Sequence, residues 1–242
     1  DNLIRVFGAV TTAASAAWAE AAVLAGHQRR AGVDGVLALA ELGQDLISAG
    51  RDGRIIRWRD GKEVADLKGH GENVQGTNVH VVSCLSALDG KLLSGGWDKT
   101  VRLWEEDAQK AVMSGHEIAV NAVAGLENGD VASGSGDQTI AIWRNGAKLR
   151  SLPAKQVVRA LCALPGALVA AGTNDGCVRL WDASSGQLAA ERQVAQSYIL
   201  SLARDPDTGH LAAGTSEGQV VILEHAGSEL KVLEELQLCG EV

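Results

Sequence analysis

The chain has 242 residues, 46% of them hydrophobic and 21% charged, with 29 Gly and only 3 Pro; this is ordinary globular material, large enough to bury a substantial core. Its formal net charge of −8 opposes approach to a phosphate backbone and argues against nucleic acid as a general partner. No apolar run of about 18 residues is present, so no membrane span is expected, and the absence of a secretory signal or initiator Met before Asp1 is what a piece of a longer protein would show.

Strand-like segments then follow one another, apolar residues alternating or running solid while Gly, Asp or Asn marks the gaps. Residues 3–7, LIRVF, and 21–25, AAVLA, make two strands, separated by an Ala- and Thr-rich excursion over 8–20 whose Trp18 has no assigned place. Groups of four come next. The first is Val36–Glu41, Leu46–Ala49, Ile55–Trp58 and Glu63–Leu67. A longer loop, Gly71–Asn78, precedes Val81–Leu85, Lys91–Ser94, Val101–Trp104 and Ala111–Met113. The third group is Val120–Ala124, Asp130–Ser133, Thr139–Trp143 and Lys148–Leu152. The fourth is Val157–Ala163, Leu168–Ala171, Cys177–Trp181 and Gln187–Arg192. The last is Tyr198–Ala203, His210–Ala213, Gln219–Leu223 and Glu229–Glu235. No helix of consequence and no interdomain linker is expected.

One frame runs through these groups. In Leu92–Trp104, LLSGGWDKTVRLW, the residues Ser94, Asp98 and Trp104 fall four and then six apart. Ser48, Asp52 and Trp58 repeat the spacing, as do Ser133, Asp137 and Trp143; Ala171, Asp175, Trp181 and then Ala213, Glu217, Leu223 keep the frame while the residues change. At the front Asp1 and Phe7 keep the six-residue step. The frame positions Trp58, Trp104, Trp143, Trp181 and Leu223 follow one another at 46, 39, 38 and 42 residues, the period of a four-stranded propeller blade.

A Gly-His pair stands upstream of three frames, at Gly26-His27, Gly69-His70 and Gly115-His116. Gly-His followed by Ser, Asp and Trp resembles the WD-repeat family over nearly the whole chain. Only Trp181-Asp182 keeps that family's terminal Trp-Asp, and the last two units lack Gly-His, so looser packing is expected there. The fold class is therefore all-β, a WD-repeat β-propeller in one domain over 1–242. Residues 1–27 form a partial blade, and 28–70, 71–116, 117–154, 155–196 and 197–242 form complete ones. Five blades and two strands do not make a usual ring, so open edges and a seven-bladed parent with sequence missing at both ends are expected.

The resemblance implies that His, Ser, Asp and Trp of each frame form a buried hydrogen-bonded set: His27, Ser48, Asp52, Trp58; His70, Ser94, Asp98, Trp104; and His116, Ser133, Asp137, Trp143. Ser, His and Asp also make a nucleophilic triad. A triad occurs once, however, and this set recurs, so it reads as structural. No catalytic residue, cofactor or metal is assigned. The four cysteines, Cys84, Cys162, Cys177 and Cys239, form no C-x-x-C pair and read as small buried side chains suited to a reducing compartment, cytoplasmic and also nuclear.

Binding in such folds concentrates on the face carrying the turn before each Asp and the mouth of each inner strand. The residues before the turn acids are Arg51, Trp97, Gly136, Asn174 and Ser216. Those at the mouths are Gly35, Val81, Ala119, Val157 and Tyr198, and two positions further in stand Leu37, Ser83, Asn121, Arg159 and Leu200. Trp97 stands out, because a Trp in a turn has no core to fill and Trp is enriched at interface hot spots. Packing flat over a neighbouring loop is the competing reading. Arg51, Val81, Val157, Arg159, Tyr198 and Asn174 complete the candidate partner-binding set. Two arginines are too few for a phosphopeptide reader.

LLSGGWDKTVRLW, GSGDQTIAIW, VVRAL at Val157–Leu161, SYILS at Ser197–Ser201 and the opening DNLIRVF resemble the propeller of the ubiquitin-binding phospholipase A-2-activating protein family. That resemblance implies a protein partner, ubiquitin, on the propeller face, and a hexameric unfolding ATPase engaged through regions outside this sequence. It implies no nucleic acid and no membrane. The net acidity is expected to steer a partner with basic surroundings. The competing reading is a generic scaffold or regulatory subunit without ubiquitin affinity.

Overall fold

The computed structural model describes residues 2–12, 15–27, 35–71, 80–227 and 229–238. Asp1, Cys239 and nearly all of the loop expected over 71–78 lie outside them. Among the described residues twenty-two strands form one two-stranded and five four-stranded antiparallel sheets. The two-stranded sheet pairs β1 (Leu3–Thr12) with β2 (Ser15–Ala25). Blade one holds β3 (Val36–Leu42), β4 (Asp45–Gly50), β5 (Ile55–Arg59) and β6 (Lys62–Leu67). Blade two holds β7 (Val82–Leu88), β8 (Lys91–Gly96), β9 (Thr100–Glu105) and β10 (Ala108–Ser114). Blade three holds β11 (Val120–Gly125), β12 (Val131–Ser135), β13 (Thr139–Arg144) and β14 (Ala147–Pro153). Blade four holds β15 (Val158–Leu164), β16 (Leu168–Thr173), β17 (Cys177–Asp182) and β18 (Leu188–Gln193). Blade five holds β19 (Ile199–Arg204), β20 (Leu211–Thr215), β21 (Gln219–Ala226) and β22 (Glu229–Gln237). Each is a simple meander in chain order.

The strand of Leu3 lies in a two-stranded sheet, as the strand accounting requires. The excursion expected over 8–20 is corrected. The hairpin continues through it, with Gly8 opposite Ala19 and Ala9 opposite Trp18, after a register shift between Val6 and Phe7. Alternating Val, Thr and Ala carry no turn signal before Thr12, so the backbone stays extended.

The core is a series of slabs between successive blades. Ile47, Ile55 and Leu67 of blade one meet Val82, Leu92 and Trp104 of blade two. Leu126, Ile140, Ile142 and Leu152 of blade three meet Val158, Val169 and Trp181 of blade four. Ile4 and Leu24 of the hairpin close against Ile56 and Trp58. The second strands are therefore buried on both faces, and β12 and β16 read as runs of small and apolar residues, VASGS and LVAAGT. In four blades a glycine after the frame Ser or Ala, Gly95, Gly134, Gly172 and Gly214, permits this closeness, and blade one uses the small Ala49 instead: a Cβ on Gly134 would fall on Val158, and one on Gly172 on Ile199.

One irregularity repeats and matters for function. Where the inner strand of each blade starts, one residue is skipped in the ladder: Leu37, Ser83, Asn121, Arg159 and Leu200. Such a bulge re-aims the extra side chain out of the pleat.

Candidate functional site

The frame residues form the predicted geometry. His27 Nδ1 lies 3.0 Å from the Asp52 carboxylate and its Nε2 2.8 Å from Ser48 Oγ, while Trp58 Nε1 donates to the same Oγ at 2.8 Å. In blade two the three distances are 3.0, 2.7 and 2.8 Å for His70–Asp98, His70–Ser94 and Trp104–Ser94. In blade three they are 2.8, 2.7 and 2.7 Å for His116–Asp137, His116–Ser133 and Trp143–Ser133. One proton arrangement satisfies every group: indole N–H to Ser Oγ, Ser O–H to Nε2, and Nδ1–H to the carboxylate.

Electrostatics agree with a neutral ring. Burial pushes the imidazoles of His70 and His116 below their ordinary value, opposed by Asp98 and Asp137 and assisted by Arg102 and Lys148 respectively. Burial also works against the Asp98 charge, but hydrogen bonds from His70 and Thr100 outweigh it and hold the carboxyl well below its usual range. The hydroxyls of Ser48, Ser94 and Ser133 belong to fully buried residues. The three Ser–His–Asp sets therefore present no nucleophile to a substrate, whatever their likeness to a triad. Burial raises the Cys84 thiol to about 12, which keeps it a thiol at neutral pH. Among the described residues, no three His, Cys, Asp or Glu side chains converge as a metal would need.

Blade four is not loose, contrary to expectation. It lacks both the His and the Ser, yet Arg179 takes over. Its guanidinium reaches Asp175 at 2.6 Å, Thr173 Oγ1 at 2.7 Å and Glu191 at 2.9 Å. Burial opposes the Asp175 charge, but Arg179 and Thr173 hold its carboxyl down at about 2. The buried Trp181 Nε1 has no hydrogen-bond partner, because Ala171 holds the frame position where blades one to three carry the accepting Ser.

The exposed face is built by the bulges and turns together. In every blade the residue before the turn acid donates its N–H to the carbonyl at the mouth of the inner strand. The pairs are Arg51 to Gly35 at 3.0 Å, Trp97 to Val81 at 2.9 Å, Gly136 to Ala119 at 3.0 Å, Asn174 to Val157 at 3.1 Å and Ser216 to Tyr198 at 2.9 Å. This bond folds each turn over the mouth. The five bulged residues, with Arg51, Trp97, Ile118, Ala119, Gly136 and Val157, consequently line one open depression of about 610 Å³.

Trp97 is 41% exposed beside Asp98 at 3%. Arg159 is held from two sides: its Nε donates to Asn174 Oδ1 at 2.8 Å, and its guanidinium lies over the Tyr198 ring at 5.9 Å. Ser83 and Asn121 are spent on carbonyls of the next blade, Val120 and Val158. Tyr198 is half exposed and adjoins the depression through Arg159.

Val81 is corrected. It is buried, because its strand end is clamped by the Trp97 N–H, and it offers no side chain to a partner. Asn174 acts as a strut for Arg159 rather than as a free contact. Ile118, 52% exposed in the loop after His116, was missed by the sequence reading; an Ile in a turn with no core to fill is the same signal as Trp97. The steering by net acidity is also opposed locally: among the described residues the depression is lined by two arginines and no carboxylate.

Three successive segments, 61–105, 108–144 and 146–182, match the family model "WD domain, G-beta repeat". The chain carries WD repeats on a propeller fold. Each matched segment runs from the outer strand of one blade through three strands of the next, so the Gly-His link ties neighbouring blades. The chain is 26% identical over 183 residues to WD repeat-containing protein VIP3 of Arabidopsis thaliana, covering 66% of this chain and 57% of that protein. It is 28% identical over 162 residues to small ribosomal subunit protein RACK1y of Oryza sativa subsp. japonica, covering 60% and 48%. The chain thus spans about half the length of these curated relatives. The crystal structure of the WD40 β-propeller domain of Doa1 superposes with a TM-score of 0.78 at 21% identity, covering 98% of this chain and 77% of that one, a likeness of fold.

Proposed function

We propose that this WD-repeat chain is a non-catalytic protein-interaction platform whose partner docks on the face bearing Trp97, and that the partner is ubiquitin, recognised by an adaptor in ubiquitin-dependent protein turnover. The observation that carries the docking face is Trp97 itself, 41% exposed at the edge of a depression toward which five bulges and three turns converge. Leu37, Ile118, Tyr198 and Leu200, all exposed, extend the apolar surface around it. An aromatic anchor within an apolar surround suits a globular protein partner. The ubiquitin assignment is supported by the resemblance of Leu92–Trp104, Val157–Leu161 and Ser197–Ser201 to the phospholipase A-2-activating protein family. A hexameric unfolding ATPase would be engaged outside this sequence, in the cytoplasm and the nucleus.

Calorimetric titration of ubiquitin against the full chain and its Trp97→Ala variant tests this. Loss of a hot-spot Trp costs at least ~2 kcal/mol of binding, roughly thirtyfold in affinity. Equal affinities reject the site. Binding to neither rejects ubiquitin and leaves the scaffold without ubiquitin affinity as the reading.

A further inference from the structure

We propose that the depression beside Trp97 selects an acidic side chain, a glutamate or aspartate carried on the partner's docking segment. The inference rests on reading this depression as the docking face and specifies the chemistry it accepts. In a chain of net charge −8, the lining contributes Arg51 and Arg159 and no carboxylate. Among the described residues the acids adjacent to them in the turns are committed elsewhere. Asp52, next to Arg51, is turned inward onto His27 at 3.0 Å. Asp175, next to Asn174, is bound by Arg179 and Thr173. Glu117 and Glu217 stand exposed outside the lining.

The two guanidiniums are available. Among the described residues the Arg51 side chain has no hydrogen bond or ion pair. Among the described residues Arg159 donates only its Nε, and both terminal NH2 groups are without a partner, while Asn174 and the Tyr198 ring fix its orientation. A guanidinium held in place with free terminal donors is pre-organised for a carboxylate, because less entropy is lost in forming the bond. Burial of the remaining rim under a partner would leave these charges desolvated and unpaired unless the partner supplies an anion. The apolar surround of Leu37, Trp97, Ile118 and Leu200 sets the rest of the requirement: the acid must sit among apolar neighbours.

Capped tripeptides provide the test, independent of ubiquitin: acetyl-Glu-Leu-Glu-amide, with acetyl-Gln-Leu-Gln-amide and acetyl-Lys-Leu-Lys-amide as comparisons. Each is titrated into the isotopically labelled chain, following the Arg Nε–H and Trp97 indole resonances. The glutamate peptide is expected to shift these resonances saturably. Its dissociation constant should rise at least about tenfold in R51Q/R159Q, the loss of charge-assisted bonds. Should the double variant fail to fold, R51Q alone serves, since the Arg51 side chain bonds to none of the described residues. The proposal is overturned if the glutamine peptide binds as well as the glutamate peptide, if the lysine peptide binds better, if no peptide shifts these signals, or if the variants bind unchanged. Peptide selectivity without ubiquitin binding would fault the choice of ubiquitin and keep the acidic pocket. Ubiquitin binding that is lost in Trp97→Ala but indifferent to R51Q/R159Q, without peptide selectivity, would do the reverse.

Discussion

Asp98 of blade two and Asp175 of blade four stand at the same place in their sheets and are held by different chemistry. Asp98 is gripped by a buried imidazole that passes the bond on through Ser94 to Trp104, while Arg102, the counterpart of Arg179, reaches it only at 3.4 Å. Asp175 is gripped by a guanidinium, Arg179, that also spans to Glu191 on the outer strand. The position Ala154 stands where His116 stands in blade three, and Ala171 where Ser133 does. What is common is a donor that ties the turn acid to the strands. The identity of that donor is free, provided the blade finds a cation or a polarised N–H in the same space.

The comparison breaks most visibly at the turn acids. Asp98→Ala strands His70, Thr100 and Gly71 donors inside a closed set, and removing one member of a buried charged network costs about 3–5 kcal/mol. Asp175 has a side chain 31% exposed, so water recovers part of the loss and Asp175→Ala should cost clearly less. Equilibrium denaturation of both variants measures the difference; equal costs would mean that the imidazole chain adds nothing over the arginine.

Acid should expose the same contrast. The His70 and His116 imidazoles are held below their ordinary value, so the unfolded chain binds the extra protons. Their contribution is complete above about pH 6.5 and declines as the pH falls through that value toward the folded one. Asp98, Asp137 and Asp175 are depressed in the folded state. Their contribution is present above about pH 3.9 and is lost as the pH falls through the depressed values. Unfolding free energy followed from pH 8 downward should therefore drop in two stages; a curve flat from pH 8 to 5 would contradict the neutral imidazoles.

A smaller effect belongs to Trp181. Ala171→Ser would place an acceptor opposite its unpaired N–H, as Ser133 does for Trp143, and should gain up to about 1 kcal/mol. The gain is limited because no imidazole waits there for the hydroxyl proton. A loss of stability would show that packing around Ala171 outweighs the bond.

These contrasts also mark what was legible beforehand. Ser, Asp and Trp of a frame lie on one hairpin, where turn length and the alternation of β-strands set their spacing, so the sets could be read from local pattern. Arg179 fell outside the template because its role depends on Glu191, a partner on the next strand. The burial of Val81 follows from the turn folding over its own strand end, and the gathering of Ile118 and Trp97 into one depression follows from neighbouring blades packing together. No local pattern encodes them. Residues 8–12 and 15–20 were misread because the many Ala carry little strand preference, while the pairing of β1 with β2 decides their conformation.

Trp97 and Asp98 are consecutive in one turn, one exposed and the other buried, and a division of labour between docking and folding is the central claim. Thermal unfolding of Trp97→Ala beside Asp98→Ala tests it most directly. The account predicts that Trp97→Ala costs less than about 1 kcal/mol, as for surface substitutions, while Asp98→Ala lowers the midpoint severely. If Trp97→Ala destabilised the chain as much as Asp98→Ala, Trp97 would be a packing residue and the docking face would have lost its anchor.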